Sequence, residues 1–201
     1  MANFCTVVDL AQLLQVQIST AAQIASAERA IAEASAAIRN YCHQEIELVT
    51  NETITLDSAG GTKVFLPQLP VLSVAEVVED DETLVEDDDY KLGQWGIFHR
   101  VDAKWTSGIQ ILEITYTHGY ETIPDDVVAV CARAAARAYQ AGLKAASTEG
   151  VPGIAATSLG DYSVSYAGEA SAAEGQLGVS GSRMLLMSEK DMLNKYRYVA
   201  Q

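Results

Sequence analysis

A chain of 201 residues is long enough for one domain with an appended arm and a core of ordinary size. Hydrophobic residues make up 49% of it, yet no uncharged apolar run approaches the roughly 18 residues that span a bilayer, which excludes a helical membrane span. A formal net charge of −14 disfavours a protein that grips nucleic acid or anionic lipid, and three scattered cysteines, Cys5, Cys42 and Cys131, fit reduced, buried thiols better than a disulfide framework.

The opening MANFCTVVDLAQLL lacks the basic start and apolar core of a secretion signal, so a cytoplasmic origin is expected. Asp9 to Val16 reads as a short helix with Leu10, Leu13 and Leu14 on one side. Ser19 and Thr20 then offer a cap for a longer helix from Ala21 to about Gln44. Within it Ile24, Ile31 and Ile38 recur every seven residues with Ala27, Ala34 and Tyr41 between them. Such a narrow seam of small side chains lets a second helix approach closely.

From Glu47 the period changes to two. Glu47 to Leu56, Lys63 to Leu66 and Leu72 to Val78 alternate, and the AGG at 59–61 is a turn. LPQLPV (66–71) carries two prolines that fix φ and remove ladder donors, so it is an extended connection or an edge. Tyr90 to Leu92 and Gly96 to Phe98 are further short strands, with Trp95 and Trp105 expected as sheet or core aromatics. In Ile111 to Thr117, Leu112, Ile114 and Tyr116 share one face of a strand that Gly119 ends, leaving His118 in a turn. Pro124, Asp125 and Asp126 then start a helix that runs to Ala146, with Val127, Val130, Cys131, Ala134 and Ala138 as its apolar side.

Beyond Ala146 the composition turns small and polar. Tyr162, Val164 and Tyr166 line one face of a strand or arm at 158–167, and Gly168 to Ser182 has the makeup of a flexible tether. A last helix is expected at 188–198, capped by Ser188 and Asp191 with Met187 and Met192 as a staple, and with Met192, Leu193 and Tyr196 as its stripe. A helix that short is marginal alone, so the stripe must dock on its own domain or on a partner.

The fold class is therefore α+β. Two long Ala-rich helices and short terminal helices make a mainly helical core over 1–146, with a small antiparallel sheet inserted at about 46–118 and an arm over 147–201.

No residue set points to catalysis or a cofactor. His43, His99 and His118 lack ligand spacing, and no phosphate loop, dinucleotide fingerprint or nucleophile elbow is present. The conspicuous charge feature is acidic: Glu79, Asp80, Asp81, Glu82, Glu86, Asp87, Asp88 and Asp89. It lacks the spacing of a calcium loop. Solvated turns are the plain reading; in a ring of copies, the same carboxylates facing the bore would repel phosphates and let DNA slide.

In order and spacing, several segments together resemble one family. They are IRNYC (38–42), LPQLPV with SVAEV (66–77), Asp89-Tyr90, Trp105, ITYTHGY (114–120), IPDDVVAVCARAAARAY (123–139), SLGDYSVSY (158–166) and LNKYR (193–197). The chain resembles the head-to-tail adaptor, connector or head-completion proteins of tailed double-stranded-DNA phages and gene transfer agents (GTAs). The resemblance implies a non-enzymatic virion protein of the neck, made in the host cytoplasm. It would form a ring, usually of twelve, between the portal protein and a tail-side stopper or tail-completion protein, and DNA would pass through without specific binding. It also implies portal contact by the C-terminal segment, here Met184, Leu185, Leu186, Met187, Met192, Leu193 and Tyr196. Tyr162, Val164 and Tyr166 are expected either to add a strand to a neighbouring subunit or to fold back as a hairpin on their own domain. The alternatives to an adaptor are another virion structural protein, such as a stopper or tail-completion subunit, and a small enzyme with a dispersed site.

Overall fold

The structure is a computed structural model that describes residues 2–147, 156–159, 162–165 and 184–198. Its first helix, α1 (Val7–Leu14), starts two residues earlier than expected because Asp9 sits in the first turn as a cap partner. Thr6 Oγ1 accepts the Asp9 N–H at 3.2 Å, and Asp9 Oδ2 accepts the Thr6 N–H at 2.7 Å. The same reciprocal device, Thr20 with Gln23, opens α2 (Ala21–Cys42). It closes where His43 turns left-handed at φ 54°. Ala27, Ile31, Ala34 and Ile38 are buried as the seam predicts, with Ala30, Ser35 and Cys42 beside them.

Against this seam lies α3 (Asp125–Ser147), which buries Val127, Val130, Cys131, Ala134 and Ala135. Alanine on both sides of the contact keeps the two backbones close. The final helix, α4 (Met187–Leu193), and its 3₁₀ turn Asn194–Tyr196 pack on α2 and α3, so Leu185, Leu193 and Tyr196 belong to the same helical core.

The inserted part is larger than the sequence suggests, and the strands together hold nearly as many residues as the helices. One antiparallel sheet has the order β1 (Val49–Ala59), β7 (Ser107–His118), β3 (Val71–Glu79) and β4 (Glu82–Thr83). A second has the order β2 (Lys63–Phe65), β6 (Ile97–Arg100) and β5 (Tyr90–Gly93). Strand β7 is paired on both sides, and its Leu112, Ile114 and Tyr116 are fully buried. Together with Val77, Val64, Leu66, Tyr90, Phe98 and Trp105 they form a second core. A domain with two cores explains why so many short strands persist: each hairpin buries its apolar face against the other sheet.

Turn chemistry sets the connections. Asp80 (φ 51°) and Asp81 (φ 67°) are the two central residues between β3 and β4, a backbone that aspartate tolerates better than branched residues do. Gly119 has φ +92°, and a Cβ there would lie 2.2 Å from the Glu47 carbonyl oxygen, so the step from β7 toward α3 admits only glycine. His118 is not in this turn. It is the last residue of β7, fully buried, with Nε2 2.7 Å from Glu52 Oε2.

Where one strand or arm was expected at 158–167, two strands pair antiparallel as a hairpin, β8 (Ala156–Leu159) and β9 (Tyr162–Ser165). Tyr162 and Val164 belong to β9, while Tyr166 and the tether at 168–182 lie outside the described residues.

Candidate partner-binding surfaces

The seven C-terminal candidates divide by burial. Leu193 is fully buried, Leu185 and Tyr196 nearly so, and Met184 is half-buried. These side chains are spent on the chain's own core, which corrects the expectation that all seven face a partner. Leu186 and Met192 are exposed, and Met187 is 77% exposed. The stripe docks at home because α2 and α3 leave an apolar groove that a short helix can fill.

The cap also differs from expectation. Ser188 lies inside α4, and Glu189 closes the first turn instead by accepting the Leu186 N–H at 2.9 Å. That carboxylate is buried and is answered by Arg137 of α3, whose Nη1 and Nη2 donate to it at 2.8 and 2.6 Å. Arg137 Nη2 also donates to the Met184 carbonyl at 2.8 Å, so one guanidinium holds both the helix and the strand of chain leading into it.

A second anchor holds the 3₁₀ turn that follows α4. Asp126 Oδ1 accepts the Tyr196 hydroxyl at 2.6 Å, and Asp126 Oδ2 pairs with Lys195 Nζ at 2.6 Å. Burial alone would push the Asp126 carboxyl up, but hydrogen bonds from Lys195 and Tyr196 outweigh it and hold the group below the usual carboxylate range. The same contact with Asp126 raises the Lys195 ammonium. Tyr41 donates to Asn194 Oδ1 at 2.6 Å, the Tyr198 N–H reaches the Cys42 carbonyl at 2.8 Å, and Tyr120 meets Tyr196 edge to face. Asp125 and Asp126, expected only as charge at a helix start, thus include a residue that fixes the far end of the chain.

The acidic run likewise splits in two. Glu79 is buried, pairs with Arg100 Nη2 at 3.2 Å and accepts the Thr106 N–H at 2.5 Å. Asp89 Oδ2 caps the Val85 N–H at 2.9 Å, and its Oδ1 faces Arg100 at 3.5 Å. Arg100 lies over the Trp105 ring and ties these acids to the sheet core. Glu79 and Asp89 are therefore structural, a correction to their reading as free surface charge. Asp80, Asp81, Glu82, Glu86, Asp87 and Asp88 remain exposed as one acidic edge. Among the described residues no group of three or more histidine, cysteine, aspartate or glutamate side chains is arranged to hold a metal ion.

Two features escaped the sequence reading. Trp95, expected inside a sheet, is 79% exposed at φ 63° in the 3₁₀ turn Gln94–Gly96 between β5 and β6, whereas Trp105 is buried as expected. Cys5 and Cys131, far apart in sequence, bring their sulfurs to 3.3 Å. No spacing rule finds either, since the first depends on a turn and the second on how the segment before α1 lies over α3. A shallow groove along α1, lined by Val7, Val8, Ala11, Gln12, Val16 and Ile18, holds no titratable side chain.

Residues 5–133, more than half of the chain, match the family model described as head completion protein. No curated protein sequence matches the chain. Among solved structures, a chain from the neck of a native GTA particle computed with C12 symmetry is similar at a TM-score of 0.49 and 16% identity, covering 97% of this chain and 89% of that one. A chain from the neck of an empty GTA particle computed with C6 symmetry is similar at a TM-score of 0.54 and 15% identity, covering 97% of this chain and 90% of that one. The second likeness indicates that the fold as a whole, not only its first two thirds, has a counterpart.

Proposed function

The chain belongs to the head completion protein family, and we propose that it is a structural adaptor subunit of a phage-like particle, forming a ring between the portal and the tail-side proteins and extending the DNA channel. The family match across α1, α2, both sheets and the start of α3 is the observation that carries this reading. The role is mechanical: a subunit of this kind supplies surfaces, and its rigid core keeps them in place.

The surface assigned to the portal is the exposed side of α4, formed by Leu186, Met187 and Met192. Methionine suits such a contact because its unbranched thioether adapts to an uneven groove. Arg137 and Asp126 hold α4 from behind, so its outer face is presented without ordering cost. Hairpin β8–β9 is assigned to contact between neighbouring subunits, through Tyr162 and Val164 against a sheet edge such as β1. The acidic edge at 80–88 is assigned to the channel, where it would repel DNA phosphates.

A tagged chain used to recover proteins from a lysate of particle-producing cells tests the portal assignment. The full chain should retain a large oligomeric portal, and the double substitution Leu186→Asp with Met187→Asp should lose it while unfolding at an unchanged temperature. Equal recovery of portal by both would remove α4 from the interface, and recovery of tail components without portal would make the chain a stopper or tail-completion subunit. For the hairpin, Tyr162→Asp should leave the free chain folded but prevent rings in reassembly with portal; rings of normal number would exclude it. Neutralising the acidic edge with Asn and Gln should slow DNA passage without reducing assembly, and unchanged ejection rates would remove it from the channel.

A further inference from the structure

We propose that Cys5 and Cys131 are a thiol pair that a hydroperoxide oxidises to an intramolecular disulfide, stapling the segment before α1 to the middle of α3. The two sulfurs stand 3.3 Å apart although 126 positions separate them in sequence. Closing that gap to a bond of about 2 Å asks for a shift of little more than 1 Å. The movement falls on Cys5, whose segment belongs to no helix or strand, rather than on α3.

The surroundings favour reaction at Cys131. Its sulfur receives the Cys5 S–H, and Ser35 Oγ lies 3.4 Å away while accepting the Phe4 N–H at 3.1 Å. The hydrogen bond from Cys5 lowers the Cys131 thiol in spite of its burial, while the Ser35 hydroxyl proton is taken by the Ile31 carbonyl at 2.8 Å. Cys42, the remaining thiol, is pushed up to about 11 by burial, which makes it an internal control.

The chemistry balances without a further reagent. The Cys131 thiol releases its proton, the thiolate attacks one oxygen of hydrogen peroxide and breaks the O–O bond, and the sulfenic acid forms while the released proton turns the departing hydroxide into the first water. The Cys5 sulfur then attacks the Cys131 sulfur, the S–S bond forms, and hydroxide leaves with the Cys5 proton as the second water. Two thiols are oxidised and one peroxide is reduced. Both residues are buried, so the peroxide enters when the segment before α1 opens locally. Once made, the bond removes that opening and restricts the unfolded chain. On the adaptor reading, release of a particle from a reducing cytoplasm supplies the change of redox surroundings. The chemistry is a property of the free chain, so its failure leaves the adaptor reading untouched.

The test treats the purified, reduced full chain with hydrogen peroxide, blocks remaining thiols by alkylation and maps the products by peptide mass spectrometry without reduction. The expected product is a Cys5 peptide joined to a Cys131 peptide with two hydrogens lost, roughly tenfold or more above any link that includes Cys42. Dithiothreitol should reverse it. Oxidation should raise the unfolding temperature by several degrees, and Cys5→Ser should abolish that rise. Sulfinic or sulfonic acid at Cys131 with Cys5 alkylated would overturn the proposal. So would links only between chains, or unmodified thiols at a peroxide level that oxidises the urea-unfolded chain.

Discussion

Replacing Arg137 with alanine should release the last helix while leaving α2 and α3 folded. The Glu189 side chain is 3% exposed and takes three donors, two from Arg137 and one from the Leu186 N–H. Without the guanidinium, one buried carboxylate keeps a single backbone donor. Breaking a buried pair from one side costs about 3–5 kcal/mol, and since the Arg137 side chain is 37% exposed, water offsets part of this, leaving about 2–3 kcal/mol. Glu189→Ala should cost less, about 1–2 kcal/mol, because the freed guanidinium can turn outward. The double variant should then cost less than the two together, with a coupling of about 1.5–2 kcal/mol. Hydrogen exchange followed by mass spectrometry reads this directly: in Arg137→Ala, protection of residues 184–198 should fall roughly 30- to 150-fold, with α2 and α3 nearly unchanged. A cycle additive to within about 0.5 kcal/mol, or equal opening of α2 and α3, would refute the assignment of Arg137 as the clamp.

Leu193→Ala removes a fully buried side chain from the junction of α2, α3 and α4 and should cost about 2–5 kcal/mol in urea unfolding, whereas Met187→Ala, on the exposed side, should stay within about 0.5 kcal/mol. Docking of α4 should also depend on pH at both extremes. The lowered Asp126 contributes above its ordinary value of 3.8 and is lost as pH falls through its folded value; the raised Lys195 contributes fully below 10.5 and is lost as pH rises beyond its folded value. Protection against exchange in residues 184–198, taken relative to the unfolded rate at each pH, should therefore show a plateau between these limits, and Asp126→Asn should flatten the acid limb. Gly119→Ala should destabilise by more than about 3 kcal/mol or prevent folding, since it combines positive φ with a backbone clash against Glu47; soluble protein with native unfolding temperature would contradict the Cβ argument.

Local chemistry was legible wherever neighbours in sequence decide the outcome. The periods of α2 and β7, the Thr20 cap, the glycine at 119 and the acidic first turn of α3 all act within a few residues, so each can be read along the chain. The family likeness was legible for the same reason: it rests on the order and spacing of such local pieces. Readings failed where the partner is distant. His118 looked like a turn residue because Glu52 is remote in sequence, and Trp95 looked like core because nothing nearby announces its left-handed turn. The Ser188 cap lost to Glu189 because Arg137, 52 positions away in sequence, compensates that carboxylate's burial.

Sequence by itself thus determined the α+β class, the two long helices with their small-residue contact, the strand-rich insertion and membership of a structural rather than motif-bearing family. Only the tertiary structure decided which apolar and charged residues remain for a partner. It consumed Leu185, Leu193 and Tyr196 in the helical core and Glu79 and Asp89 around Arg100, left Met187 and the acidic edge exposed, and brought Cys5 to Cys131. The physical reason is that a side chain's chemistry is set by its own atoms, whereas its availability depends on what the rest of the chain packs against it.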